Sequence, residues 1–234
     1  MEKGEGEPLV FLHGFGLSKE FFQHQTEFFS KKYKVIAIDF PGAGKSAPLK
    51  SAYGVKEYAQ GIEALLKQMG ITKTAILGHS FGGRIAVYLA ANTDMVCALI
   101  LANAAGIKPR FSLRKIIKKC KYMRRKKSMG ETERMQSGSP DFRTLSPLGK
   151  QSFSKVVGED LTPMLFKISC PTLIVTGKKD RETPPYTAKV FKKRIKNAKL
   201  IVLKKADHFA FFKHHREFNC AVSDFLSSLK RGAK

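Results

Sequence analysis

Short apolar runs alternate with longer amphipathic stretches along most of the chain. A short apolar run bounded by turn residues is typical of a buried strand, whereas apolar residues that recur every three or four positions predict a helix. We predict strands over residues 8–12, 33–38, 73–77, 97–102, 171–176 and 199–203, and helices over residues 55–69, 81–91, 186–195 and 215–229. This alternation predicts an α/β fold in which helices flank a mostly parallel sheet.

The alternation stops between residues 104 and 167, where the chain is polar and has helical periodicity. We predict a helical cap over residues 104–167, inserted between the two parts of the core, residues 1–103 and 168–234. Within the cap, residues 112–127 carry apolar side chains on one helical face, and the remaining positions are almost all basic. The basic face is either a solvated outer surface or a docking surface for an acidic protein or an anionic membrane.

The charge of the chain is strongly positive, with 43 Lys and Arg against 19 Asp and Glu and a formal net charge of +24. This charge favours weak association with acidic surfaces, or simply reflects a lysine-rich solvated exterior, and predicts no specific nucleic-acid partner. The four cysteines have no C-x-x-C spacing, so we expect neither a disulfide frame nor a zinc site. No apolar run is long enough to span a bilayer, and we expect a cytoplasmic protein.

A serine stands at the tip of a tight turn between a predicted strand and a predicted helix. The pattern is Gly78-x-Ser80-x-Gly82, and a serine in such a turn has a strained backbone that exposes its hydroxyl above the sheet edge. The flanking positions must be small because strand and helix nearly touch. The helix N-terminus directs backbone N–H groups at developing negative charge, which makes Ser80 a candidate nucleophile.

A serine nucleophile needs a base. Such a turn is expected to be followed along the chain first by the acid and then by the histidine. This order selects His208, which follows the last predicted strand. The orienting acid should lie between Ser80 and His208 and beyond the end of a strand, which Asp180 does. Glu182 and Asp207 are alternatives, although the side chain of Asp207 should point away from the adjacent ring. His13 and His79 are interpreted as structural.

Backbone N–H groups are the expected stabilisers of the oxyanion that such a nucleophile forms. One should come from the residue after the nucleophile, Phe81, and the other from the loop after the first predicted strand, where Phe15 lies between two glycines. Their side chains should line an aromatic acyl pocket, which favours esters or thioesters with an apolar acyl group.

The glycine-rich residues 42–46 imitate a phosphate-binding loop, but the full pattern requires glycine where Asp39 stands, so we predict no nucleotide site. No spacing typical of metal ligands is present. We therefore expect neither a metal nor another cofactor.

Together these motifs resemble the α/β-hydrolase superfamily, in particular small lid-bearing bacterial serine hydrolases of the carboxylesterase and carbon–carbon hydrolase types. The residues that carry the resemblance are 12–16, 39–46, 78–83, 177–184 and 207–209. The resemblance implies an α/β-hydrolase fold with Ser80 as nucleophile, Asp180 as acid and His208 as base. It also implies that Phe15 and Phe81 donate to the oxyanion.

The chain departs from that family pattern in two places. Asp207 stands where the family usually has glycine before the histidine. The chain also reaches the strand before His13 almost at once, so we expect a shortened N-terminal side of the sheet. Either the start of the gene is assigned too late, or this edge of the sheet is exposed.

Three functions remain open at this point. The first is a serine hydrolase that cleaves an ester or thioester through an acyl-enzyme. The second is a hydrolase of a carbon–carbon bond next to a ketone in a ring-cleavage product. The third is a non-enzymatic ligand sensor or docking protein that uses the basic cap.

Overall fold

In the computed structural model, residues 1–108 and 145–231 are described. They form a seven-stranded sheet with the order β1-β3-β2-β4-β5-β6-β7. The strands are β1 (Glu2–Lys3), β2 (Pro8–Leu12), β3 (Lys34–Ile38), β4 (Thr74–His79), β5 (Val96–Ala102), β6 (Thr172–Gly177) and β7 (Ala198–Leu203). All neighbouring strands from β3 to β7 pair in parallel, as the alternation of apolar runs and helices predicts.

The helices that flank this sheet are α1 (Gln23–Phe29), α2 (Val55–Gln68), α3 (Phe81–Asn92), α4 (Pro147–Gly158), α5 (Pro185–Arg194), α6 (Ala210–Lys213) and α7 (His215–Arg231). Two 3-10 helices cover Lys19–Phe22 and Thr162–Lys167. Among the described helices, none is both long enough and apolar enough to cross a membrane.

The sheet separates two hydrophobic cores. Val10, Leu12 and Ile76 contribute to one core, which includes residues of α2, α3 and α5. Leu9 and Phe11 point to the opposite side, where the core includes residues of α1 and α7. Because alternate strand residues are buried on opposite faces, the strands are nearly continuous apolar runs, and their carboxyl ends form a rigid rim.

The N-terminal edge of the sheet differs from the exposed edge predicted from the sequence. Residues Glu2 and Lys3 of β1 pair antiparallel with Ile36 and Val35 of β3. The backbone N–H of Ala37 also donates to the carbonyl of Met1 at 2.9 Å. The expectation of a bare edge was therefore wrong over these residues, because even a two-residue strand satisfies the backbone groups of its neighbour.

The predicted cap lies partly outside the described residues. The basic stretch 112–127 lies outside the described residues, so the helix predicted there and its docking role stay predictions. The described return segment packs on the core: the carboxylate of Glu159 accepts from the Val55 N–H at 2.8 Å, and the Glu159 carbonyl accepts from Arg84 at 2.9 Å. The hydroxyl of Ser152 accepts from the Tyr53 N–H at 2.9 Å. The boundaries of the cap at 104 and 167 also remain predictions.

We expect Gly82→Ala to destabilise the fold by roughly 3 kcal/mol or more. A Cβ at position 82 would lie 2.0 Å from the Leu12 carbonyl oxygen, and one at Gly78 would lie 2.5 Å from the Gly82 carbonyl oxygen. Both contacts are with backbone, so neither can be relieved by rotating a side chain. The free energy of unfolding in urea measures the effect.

Gly61→Ala is the matched control for Gly82→Ala. Gly61 is an exposed residue of α2, and nothing lies within 4 Å of a Cβ built on it. Alanine there should stabilise the protein by about 0.5–1 kcal/mol through its higher helix propensity. Equal unfolding midpoints for the two variants would contradict the close approach of helix and strand.

Candidate functional site

Three loops at the carboxyl ends of parallel strands bring Ser80, Asp180 and His208 to one rim of the sheet. Ser80 follows β4 directly, Asp180 lies three residues after β6, and His208 lies five residues after β7. Because these strands run in parallel within one sheet, residues far apart in the sequence meet at the same end.

Ser80 has φ 50° and ψ −109°, one of the two positive φ angles among the described non-glycine residues. Hydrogen bonds hold this backbone in place: the Ser80 N–H donates to the Ala102 carbonyl at 3.1 Å, and the Ser80 carbonyl accepts from Ala105 at 3.0 Å. A strained residue at a helix N-terminus is the geometry that the glycine-flanked serine predicts.

His208 and Asp180 form a buried pair. The Nδ1–H of His208 donates to Asp180 Oδ2 at 2.9 Å, and the Asp180 side chain is fully buried. Burial opposes ionisation of the carboxyl, but hydrogen bonds from His208, Thr183 and Asn103 outweigh it and lower the pKa of Asp180 to about 2. The carboxylate is therefore ionised at neutral pH and fixes which imidazole nitrogen carries the proton.

Two partners of Asp180 were not predicted from the sequence. Asn103, just after β5, donates from Nδ2 to Asp180 Oδ2 at 2.7 Å. Thr183 donates from its backbone N–H to Asp180 Oδ1 at 2.9 Å, and its hydroxyl lies 2.6 Å from Oδ2. Asn103 has a signal that could have found it, since it is a polar residue directly after a strand that ends at this rim.

Ser80 and His208 line one cavity of about 230 Å³, together with Phe15, Phe153 and Glu182. Among the described residues, no hydrogen bond joins Ser80 Oγ to His208. Instead, the Nε2 atom of His208 lies 3.3 Å from Oε2 of Glu182. The structure thus brings the predicted base and nucleophile to one cavity and places a third side chain beside the nitrogen that faces away from Asp180.

Phe15 and Phe81, the predicted oxyanion donors, are neighbours. Their rings lie 5.1 Å apart, edge to face, and the Gly82 N–H donates to the His13 carbonyl at 3.0 Å. Phe81 is the first residue of α3, so its N–H has no acceptor within the helix. Their roles as donors to an oxyanion stay predictions.

The other candidate groups are occupied elsewhere. His13 donates from Nδ1 to the Gly14 carbonyl at 2.7 Å and accepts from the Phe40 N–H at Nε2. The buried His79 bonds through Nε2 to the His208 carbonyl at 3.0 Å, and burial together with the nearby His208 lowers the pKa of His79 to about 3. Both rings therefore form hydrogen bonds with backbone groups, which agrees with their interpretation as structural histidines.

Asp207, the alternative acid next to the base, turns away from the ring of His208. Its Oδ1 accepts from the Phe209 N–H at 2.9 Å, and Lys213 donates to its Oδ2 at 2.5 Å. The glycine usual at this position in the family is thus replaced by a residue that ties the loop to α6.

Phe15 also lines a second cavity, of about 480 Å³. Its lining is largely apolar and includes Phe40, Leu49, Tyr58 and Phe81. Burial raises the pKa of Tyr58 to about 12, which keeps its phenol neutral. The apolar walls favour an uncharged occupant.

The glycine-rich residues 42–46 wrap around Asp39 and leave no cradle for phosphate. The N–H of Lys45 donates to Asp39 Oδ2 at 3.0 Å, and the Ser46 hydroxyl donates to the Asp39 carbonyl at 2.6 Å. Lys19 also pairs with this carboxylate. Over residues 1–108 and 145–231, no group of three His, Cys, Asp or Glu side chains could hold a metal ion.

Two family profiles match the chain: one described as alpha/beta hydrolase fold over residues 7–121, and one described as TAP-like protein over residues 158–234. The AB hydrolase superfamily protein YisY of Bacillus subtilis is 30% identical, over 96% of this chain and 93% of its own length. A pimeloyl-[acyl-carrier protein] methyl ester esterase of Neisseria meningitidis is 27% identical over 93% of each chain.

A solved structure with the same architecture is the esterase EaEST of Exiguobacterium antarcticum. It is 26% identical, with a TM-score of 0.77 over 97% of this chain and 94% of its own. The meta-cleavage product hydrolase CumD of Pseudomonas fluorescens has a TM-score of 0.76 over 98% of this chain and 93% of its own, at 20% identity. The second likeness shows the fold alone.

Proposed function

The chain belongs to the α/β-hydrolase superfamily, and on that premise we propose that it is a serine hydrolase that cleaves an ester or thioester of a small apolar acyl group. The observation that carries the proposal is the buried Asp180–His208 pair, 2.9 Å apart, at a cavity that also holds the strained Ser80. Acyl transfer requires a nucleophile and an oriented base at one cavity, and these residues supply both.

In the proposed reaction, Nε2 of His208 takes the proton of Ser80 as Oγ attacks the substrate carbonyl. Asp180 holds the opposite nitrogen and stabilises the positive ring that forms. The N–H groups of Phe15 and Phe81 stabilise the oxyanion, and the same imidazole then delivers its proton to the leaving alcohol or thiol. Water repeats the sequence on the acyl-enzyme and frees Ser80.

Nε2 of His208 has to turn towards Ser80 for this reaction, since the two side chains are not hydrogen bonded in the described structure. Such bonds are often long or absent without substrate and tighten when it binds. Asp180 and Thr183 hold Nδ1 of His208, and His79 holds its backbone carbonyl, so the turn is confined to the imidazole ring.

The acyl group is proposed to occupy the 480 Å³ cavity, because Phe15 and Phe81, the proposed oxyanion donors, line it. Relatives named as an esterase and a methyl ester esterase support an ester substrate. A carbon–carbon bond next to a ketone is the alternative, and the same three side chains could serve it. The basic stretch 112–127 is outside the described residues, so docking of an acidic protein or membrane there stays a prediction.

A panel of p-nitrophenyl esters from acetate to decanoate tests the proposal, with a dienoate-ketone substrate run in parallel. We expect ester hydrolysis that is strongest at intermediate acyl length and requires Ser80. Hydrolysis of the dienoate-ketone alone would favour the carbon–carbon alternative. No turnover of any substrate would contradict a hydrolase at this site.

We expect Ala43→Phe to lower the ratio of kcat/KM for butanoate to that for acetate about tenfold, a typical cost of losing apolar contacts in a pocket. Ala43 lines the 480 Å³ cavity, so a phenyl ring there would reduce the space for any acyl group larger than acetyl. Ala47→Phe is the control, because Ala47 is an exposed residue of the same loop. An unchanged ratio in Ala43→Phe would place the acyl group elsewhere.

A further inference from the structure

Glu182 lies beside the proposed base, on the side that faces the substrate cavity. Its Oε2 is 3.3 Å from Nε2 of His208, while Asp180 Oδ2 is 2.9 Å from Nδ1. The imidazole is thus held between two carboxylates of one loop, which follows β6. The two differ in setting, because the Asp180 side chain is fully buried and that of Glu182 is 68% exposed.

The position of Glu182 has a chemical consequence for the base. Nε2 can take a proton from Ser80 only when it presents a lone pair. A carboxylate oxygen is repelled by that lone pair but attracted when Nε2 carries a proton. A carboxylate at this distance therefore favours a proton on Nε2, and a ring with a proton there cannot act as a base.

Over residues 1–108 and 145–231, the other groups around His208 do not compete with Glu182. Asp180 and the Thr183 hydroxyl face Nδ1, and His79 bonds to the backbone carbonyl with its ring 4.9 Å from that of His208. Asp207 is bound by Lys213 and the Phe209 N–H. Among the described residues that line the 230 Å³ cavity, Glu182 is the only one with a carboxylate.

We propose that Glu182 is a positioning residue that pairs with protonated His208 in the resting site and withdraws when Nε2 turns to Ser80, so that it sets the lower pH limit of hydrolysis. This inference rests on the proposed function. The side chain of Glu182 is mostly exposed, so it can move away from Nε2 into solvent. Its backbone stays in place, because its N–H donates to Asp180 Oδ1 at 2.8 Å.

The sign of the effect follows from the charge. A carboxylate beside Nε2 favours the protonated ring, so the base becomes available at a higher pH with Glu182 than without it. Glu182→Gln keeps the shape of the side chain and removes the charge. We expect the acid limb of kcat/KM for a neutral p-nitrophenyl ester to move to lower pH by about half a unit, the size of a partly exposed ion pair.

Two variants accompany Glu182→Gln. Glu182→Asp restores the charge on a shorter side chain and should place the acid limb between those of the wild type and Glu182→Gln. Glu217→Gln, an exposed carboxylate in the first turn of α7, should leave the limb where it is. Each profile is normalised to its own maximum, so a general loss of activity does not imitate the shift.

An NMR readout of histidine rings labelled with ¹⁵N separates this inference from the proposed function. The His208 signals, assigned by their loss in His208→Gln, should change at lower pH in Glu182→Gln than in the wild type. This shift without any Ser80-dependent hydrolysis would uphold the pairing and overturn the proposed function. Ser80-dependent hydrolysis with superimposed pH profiles and superimposed NMR titrations would overturn the pairing.

Discussion

Replacing Ser80 with alanine is expected to lower kcat/KM for a p-nitrophenyl ester at least about 10³-fold. The reason is that, among the described residues that line the 230 Å³ cavity, Ser80 is the only one with a hydroxyl. Initial rates over a range of ester concentrations measure the loss.

The fold should survive Ser80→Ala. The Ser80 N–H donates to the Ala102 carbonyl, and the Ser80 carbonyl accepts from the Ala105 N–H; neither bond involves the side chain. Ser227→Ala, at an exposed position of α7, controls for the removal of a hydroxyl. A Ser80→Ala protein that is folded and keeps more than about a tenth of the wild-type rate would contradict the nucleophile.

Asp180→Asn is expected to lower kcat/KM about 10³- to 10⁴-fold, the size seen when an acid that orients a catalytic histidine is made neutral. An amide can donate a hydrogen bond to Nδ1, which would favour the ring form with its proton on Nε2, where the base needs a lone pair. Steady-state kinetics at the pH optimum measures the loss, and Asp224→Asn, at an exposed position of α7, is the control.

The same substitution should change how stability depends on acid. Burial opposes ionisation of Asp180, but its hydrogen bonds lower the pKa to about 2 in the folded protein, below the ordinary value of 3.8. The carboxylate therefore contributes stability that is fully present above about pH 4 and lost as the pH falls towards about 2. Thermal unfolding of Asp180→Asn should vary less over that range than that of the wild type.

The sequence allowed the architecture to be predicted because its strands are buried on both faces. A run such as Thr74–His79 has every residue buried, and the predicted strand over 73–77 differs from it only at its ends. The helix predicted over 55–69 also agrees with the structure except at its end, since it is observed as Val55–Gln68. The spacing of apolar residues along a sequence indicates which residues are buried, and in these elements it also matches the secondary structure.

The features that could not be predicted are contacts between residues that are close in space but leave no pattern of apolar and polar positions in the sequence. The pairing of Glu2 and Lys3 with β3 leaves no apolar signal, because both residues are exposed. Two of the contacts at the site join different loops: the bond from Asn103 to Asp180 and the contact of Glu182 with His208. The bond from Thr183 to Asp180 depends on how a single loop turns. Only the packed sheet defines these distances.

If Ser80 is a nucleophile activated by His208, a fluorophosphonate probe should label it covalently. Peptide mass spectrometry after labelling should find the adduct on Ser80 in the wild type. Ser80→Ala should carry none, and His208→Ala should be labelled at least about 100-fold more slowly. An unlabelled wild type, or an adduct on another residue that persists in Ser80→Ala, would show that Ser80 is not the nucleophile.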